Sequence, residues 1–157
     1  MTTTETSKRV ETVNLSIPCA SDYVGVVRLA VSGIATRMNF SIEEIEDIKI
    51  AVSEACTNAV QYAYDDPSNS RVEIECHLHP EQKLEIVIID TGNGFDVEAT
   101  AKSKQENSIL SEDANLDDPN SVPSLGLGMT FIKSLMDEAE FISQPGKGTT
   151  VRMAKTI

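Results

Sequence analysis

The sequence predicts an α/β two-layer sandwich, a mixed β-sheet with helices on one face. Three observations carry that class. Two separate stretches, Val10 to Ile17 and Arg71 to Leu78, alternate apolar and polar residues at the period of a half-buried strand. Between them, a segment opening at Ser41 repeats apolar residues every three or four positions, the period of a helix with one face on a core. The chain is 157 residues long, enough for one domain that buries roughly two-thirds of its unfolded surface without a disulfide or metal staple.

The elements follow in order. Val13, Leu15 and Ile17 mark one face of a first strand, which Pro18 ends because it has no N–H to donate. Asp22 to about Phe40 carries Val24, Val27, Leu29, Val31 and Ile34, and predicts a helix capped near Ser21. Ser41 and Glu44 have the spacing of a capping box, and the helix they open shows Ile45, Ile48, Val52, Ala55, Ala59 and Ala63 on one face before the turn Asp65-Asp66-Pro67. Val72, Ile74, Cys76 and Leu78 give a half-buried strand, whereas Leu84 to Ile89 is almost wholly apolar and predicts a central one. Phe95 to Ser124 is polar and weakly patterned, the profile of a lid or an unstructured segment. Leu125 to Met136 returns to helix, and Glu138 to Ser143 and Thr149 to Ala154 are strands either side of Pro145-Gly146-Lys147-Gly148.

Composition narrows the function. There are 13 Lys and Arg against 25 Asp and Glu, a net charge of −12 that disfavours a duplex-binding surface and suits solubility or a basic protein partner. The sequence holds no apolar run near the ~20 residues of a membrane span, and its polar start, Met1 to Glu11, does not read as a signal peptide, so a cytoplasmic location is expected. Cys19, Cys56 and Cys76 are odd in number and widely spaced, which predicts buried thiols rather than disulfides or a zinc site. His77 and His79 are expected on a solvated strand edge, with no function.

Three short motifs fall within this frame. Glu54 and Asn58 are four residues apart on the second helix, stacked beside its apolar stripe; alone, such a pair is also what a solvated helix edge looks like. Asp90-Thr91-Gly92-Asn93-Gly94 follows the apolar strand, an acid at a strand end and two glycines that permit close approach of backbone to ligand, or simply a tight turn. Leu125-Gly126-Leu127-Gly128-Met129 opens a helix after the polar segment, where unpaired N–H groups can receive phosphate. It is no Rossmann fingerprint, because Phe131 occupies the third glycine's place.

Together, helix Glu-x-x-x-Asn, strand Asp-x-Gly-x-Gly, lid and Gly-x-Gly-helix resemble the N, G1 and G2 boxes of the GHKL ATPase/kinase superfamily with its Bergerat ATP-binding fold, and Gly146 to Thr149 resembles that superfamily's late Gly-x-Gly-Thr. Tyr23 to Leu29, Ser32-Gly33, Glu44 to Val60 and Leu135 to Glu138 resemble more narrowly the RsbW-type family of anti-sigma-B factors and serine-protein kinases. This resemblance covers about Ile17 to Thr150 and makes the chain a single kinase domain, with the lid at about 95–124.

The resemblance implies ATP and Mg²⁺ as cofactors and a role for each matching residue. Glu54 is the implied catalytic base, Asn58 the Mg²⁺ ligand and Asp90 the acceptor for the adenine amino group. Gly92 and Gly94 allow close backbone approach, Gly126, Leu127 and Gly128 meet the phosphates, and Thr149 adds a polar contact near the adenine. The implied partners are a sigma-B-type sigma factor, an anti-anti-sigma (STAS-domain) protein phosphorylated on serine, and a second copy in a homodimer, with neither nucleic acid nor membrane bound directly. Two other readings stand beside this one. One is a nucleotide-gated anti-sigma binding module without kinase activity. The other is a small aspartic protease, suggested by Ile88-Ile89-Asp90-Thr91-Gly92 and opposed by the long helix beginning at Ile42.

Overall fold

The computed structural model describes residues 9–62, 70–91, 123–144, 146 and 148–157. The first strand, β1 (Glu11–Pro18), does end at the proline, and a single 3₁₀ turn (Ser21–Tyr23) leads into α1 (Val24–Arg37). No side chain caps this start, so the cap expected near Ser21 is absent; the 3₁₀ turn meets the helix through backbone bonds instead. At its other end α1 closes in a Schellman arrangement. Asn39, at φ 66°, donates its N–H to the Thr36 carbonyl, while Phe40 donates to Ala35 and buries its ring.

The capping box predicted for α2 (Ile42–Tyr62) is formed. The Glu44 N–H donates to Ser41 Oγ at 3.2 Å and the Ser41 N–H to Glu44 Oε2 at 2.7 Å, two open donors satisfied reciprocally. Ile48, Ala51, Val52, Ala55, Cys56 and Ala59 form its buried stripe, with Ile45 at the margin. α2 lies between α1 and α3 (Pro123–Leu135) and packs over β2 (Arg71–His79), β3 (Lys83–Asp90) and β5 (Gly148–Thr156). α3 begins at Pro123, two residues before the predicted start, since proline at the first helical position loses no hydrogen bond there. The expected lid therefore lies outside the described residues, apart from Pro123 and Ser124, which are helical.

The sheet runs β1-β2-β3-β5-β4, with β4 spanning Glu138–Gln144. The two-layer α/β class stands, but every described pairing is antiparallel where a mixed sheet was expected. Chain reversals explain the difference. Among the described residues, α1 and α2 lie between β1 and β2, which returns antiparallel to its predecessor. α3 lies between β3 and β4, which do run the same way, yet β5 folds back as a hairpin partner and sits between them. The nearly unbroken apolar strand β3 takes the middle place predicted for it. Val72, Ile74, Leu84, Ile86, Ile88, Val151 and Met153 face the helices. Glu73, Glu75, Glu85 and Arg152 lie on the opposite face, where Arg152 binds Glu85 at 2.7 Å.

The cysteines are the buried thiols the sequence suggested. Burial pushes Cys56 up to about 12 and Cys76 up to about 11, so both remain protonated and act as small apolar side chains. His77 is not on an edge: β2 is flanked by β1 and β3, and the ring sits 3.2 Å from the Thr12 hydroxyl. Among the described residues, no helix is long and apolar enough to cross a membrane.

Candidate active site

Antiparallel pairing gathers particular strand ends in one place. β1 and β3 finish where β2 and β5 begin, and β4 finishes there as well, because Pro18 pairs with Arg71, Asp90 with Thr149 and Gln144 with Gly148. The last turns of α2 reach the same end. Cys19, just beyond β1, donates its backbone N–H to Ser70 at 2.9 Å and its thiol to the Val60 carbonyl at 3.9 Å. Burial, and then the charge of Asp90, raise the Cys19 thiol above its ordinary value. Asp90 and the carboxyl-terminal half of α2 thus share one region.

Asp90 closes β3 with only 4% of its surface exposed. A carboxylate that far from water needs hydrogen bonds, and the backbone N–H of Thr149 supplies one to Oδ1 at 3.2 Å. Thr149 is 8% exposed, and its hydroxyl lies 2.9 Å from that of Ser143 on β4. The residue before it explains the close fit. Gly148 has φ of +83°, and a Cβ there would run into the Asp90 carbonyl oxygen, so only glycine lets β5 start this close to β3.

Glu54 and Asn58 are both half-buried on α2, beside its core stripe, as their i, i+4 spacing requires. Their side chains converge on Gly128 of α3. A Cβ at residue 128 would stand 3.1 Å from Glu54 Oε2 and 3.1 Å from Asn58 Nδ2, so the missing methyl leaves clearance for a carboxylate and an amide together. In a helix starting at Pro123, the backbone N–H groups of residues 124 and 125 precede the first intrahelical bond, and that of Gly126 is the first to enter the ladder. Carboxylate and amide therefore meet beside the second turn of α3, while Asp90 and Thr149 form a second, buried cluster at the sheet end.

Glu54, Asn58 and Gly128 form one group and Asp90 and Thr149 the other. Gly126 and Leu127 lie in the backbone of α3, and Gly92 and Gly94 fall outside the described residues. Sequence reasoning passed over two polar residues. Ser143 could have been found by folding the hairpin about Pro145–Lys147, which sets 143 opposite 149. Lys155 gave no signal beyond its place on an apolar face of β5, yet it is buried at 9% exposure and donates to the Leu135 carbonyl at 2.6 Å.

Residues 17–155 match the model of the histidine kinase-like ATPase domain family. The chain is 38% identical over 151 residues to the serine-protein kinase RsbW of Bacillus velezensis, covering 96% of this chain and 89% of that relative. It is 41% identical over 152 residues to RsbW of Bacillus pumilus, with the same 96% and 89% coverage. To RsbW of Bacillus subtilis it is 38% identical over 145 residues, or 92% of this chain and 85% of the relative. The fold also matches the RsbU and RsbW domains of a Mycobacterium tuberculosis protein, with TM-score 0.64 and 17% identity over 93% of this chain and 32% of that one. A blue-light-activated histidine kinase from Erythrobacter litoralis shares it at TM-score 0.53 and 21% identity, over 89% of this chain and 61% of that one. The chain belongs to the histidine kinase-like ATPase family and, within it, to the RsbW serine-protein kinases.

Proposed function

We propose that this ATP-dependent protein kinase phosphorylates a serine of an anti-anti-sigma (STAS-domain) protein, using Glu54 as general base, and that its homodimer sequesters a sigma-B-type factor. The observation that carries the catalytic part is the convergence of Glu54 and Asn58 on Gly128. That arrangement brings a proton acceptor and a hard oxygen ligand to one spot beside α3, two groups a phosphoryl transfer uses. ATP is the co-substrate. Asp90 accepts a hydrogen bond from the adenine amino group and Thr149 contributes beside it, at the end of the sheet. Gly92 and Gly94 give the backbone room, and Gly126, Leu127 and Gly128 line the phosphate side, with first-turn N–H groups as donors.

The residues fit a cation. The Asn58 side-chain oxygen is the ligand type that Mg²⁺ prefers, and the Glu54 carboxylate converges with Asn58 on Gly128. When bound, Mg²⁺ supplies charge neutralisation on the phosphate oxygens. Glu54 takes the proton of the incoming serine hydroxyl as its oxygen bonds to the γ-phosphorus and the bond to ADP breaks. The net charge of −12 suits a basic surface on the sequestered factor.

The test is capture of partners by the tagged protein with ATP and with ADP, followed by phosphotransfer from labelled ATP. The expected result is capture of a sigma factor and of a STAS-domain protein, with label appearing on a serine of the latter. Capture of both without label would replace the kinase by a nucleotide-gated binding module.

A further inference from the structure

We infer that the outward face of α1 is the surface on which two copies of this chain meet, antiparallel about a twofold axis at Leu29. The inference deepens the homodimer of the reading above and rests on it.

α1 turns Val27, Val31 and Ala35 to the core. On a helix of 3.6 residues per turn the opposite direction falls at Leu29, which is 75% exposed, with Val26 beside it at 47%. One turn away on either side stand Gly25 and Gly33. Glycine inside a helix is destabilising relative to alanine, and the packing of a single copy gives no reason for either. Among the described residues, a Cβ at Gly25 or Gly33 would meet nothing within 4 Å, whereas one at Gly128 or Gly148 would crowd a neighbour. A leucine standing between two bare patches of helix backbone is half of a contact.

Symmetry and charge make the other half a second copy. Gly25 and Gly33 each lie four residues from Leu29. A twofold at Leu29 that reverses the helix therefore sets Gly25 of one copy against Gly33 of the other, so the helices approach closely and each leucine enters the hollow beside its mate. A partner of another sequence has no use for that spacing. Two copies at −12 repel one another, yet Val24–Arg37 contains no Asp or Glu, so their approach costs least here. The same operation brings exposed Asp22, just before α1, to Arg37 at the end of the other α1. Arg37 binds Glu11 of its own chain through one nitrogen at 3.0 Å, and its guanidinium has further donors for Asp22. That pair lies at the rim and sets register more than strength.

The experiment is sedimentation equilibrium of the full chain and of Leu29→Glu and the double variant Gly25→Ala, Gly33→Ala, with ATP affinity by calorimetry as the check on folding. The parent is expected to be a dimer. Leu29→Glu should weaken it by about a hundredfold or more, because the change enters twice across the axis and opposes two carboxylates. The glycine variant gives effects of opposite sign. It should raise the urea midpoint of the monomer, measured below the dissociation constant, and weaken the dimer by about ten- to a hundredfold, the scale of an overpacked contact. ATP affinity per chain should hold in both. A dimer unmoved by these substitutions overturns the α1 face and leaves the homodimer standing on another surface. A glycine variant whose monomer is less stable shows that the glycines serve the fold, and overturns the inference as well. A parent that is monomeric at tens of micromolar overturns the homodimer and this inference together.

Discussion

The two ends of the sandwich are built on opposite plans. At the end where β1 and β2 pair Glu11 with Leu78, the chain is bound back on itself. Asp137 donates its N–H to Ala154 at 3.0 Å and accepts from the Thr156 N–H at 2.7 Å, and Ile157 donates to Gln82 at 3.0 Å. Lys155 caps the carboxyl terminus of α3 through Leu135 and reaches Asp47 of α2 at 3.4 Å. At the other end sit the Gly148 backbone at positive φ, the clearance at Gly128 and a buried carboxylate. One end places cations where helix carbonyls accumulate, which favours a fixed structure. The other leaves room and concentrates acceptors, at a cost in stability, the pattern expected where a ligand is proposed to enter. The proposed chemistry and the anchoring are thus separated along the strands, and substitutions at the two ends should have separable effects.

The largest separation is expected at Glu54. Glu54→Gln keeps the shape and removes proton acceptance, so phosphotransfer should fall by about 10²–10⁴-fold while ATP binding and folding change little. Phosphotransfer rates under saturating ATP and Mg²⁺ check this. Rates equal to the parent would return the pair to an ordinary helix edge. Asp90→Asn comes next. It replaces an acceptor by a group that presents a donor to the adenine amino donor, and ATP affinity should drop by about one to two decades. Calorimetric affinity that does not change would remove Asp90 from the site.

How much of this was legible in the sequence follows the same division. The capping box, the α2 stripe and the proline stop of β1 are local patterns, and each was readable because a few neighbouring residues decide it. The candidate residues were readable as types: a carboxylate and an amide one helical turn apart, and an acid ending an apolar strand. What brings them together was not. The Gly128 contact joins residues 54, 58 and 128, and the Asp90–Thr149 bond spans most of the domain. The antiparallel sheet was missed because pairing order depends on where β5 inserts, which no local period encodes. Lys155 was missed because a lysine on a strand reads as solvated until a helix carboxyl terminus is known to lie over it.

The anchored end offers the converse test. Lys155→Met preserves length and apolar contact but leaves the Leu135 carbonyl without its donor. Unfolding free energy should fall by on the order of 1–2 kcal/mol, the penalty for a buried acceptor left unpaired. ATP affinity, corrected for any unfolded fraction, should hold. Urea titration and calorimetry on the same sample measure both, and a coupled loss of ATP binding would show that the two ends are not independent.

The smallest effect is expected at Glu138, also at the anchored end. Lys83, by its hydrogen bond and its charge, and Arg152, 3.2 Å away, hold this exposed carboxyl below the ordinary glutamate range. A group whose pKa is lower folded than unfolded stabilises the fold only while it is ionised. Its contribution is therefore complete above the unfolded value of about 4.3 and is lost as pH falls through the lower folded value. Glu138→Gln removes that dependence. The urea midpoints of parent and variant should differ slightly and by a constant amount near neutral pH, then approach each other as the solution is acidified below about pH 4.3. Raised salt should shrink the neutral gap, because the pair is open to solvent. A gap that stays constant through the acid range would mean that Glu138 contributes by packing rather than by charge. A gap that opened as pH fell would reverse the sign of the linkage and assign the acid sensitivity of this end to another carboxylate.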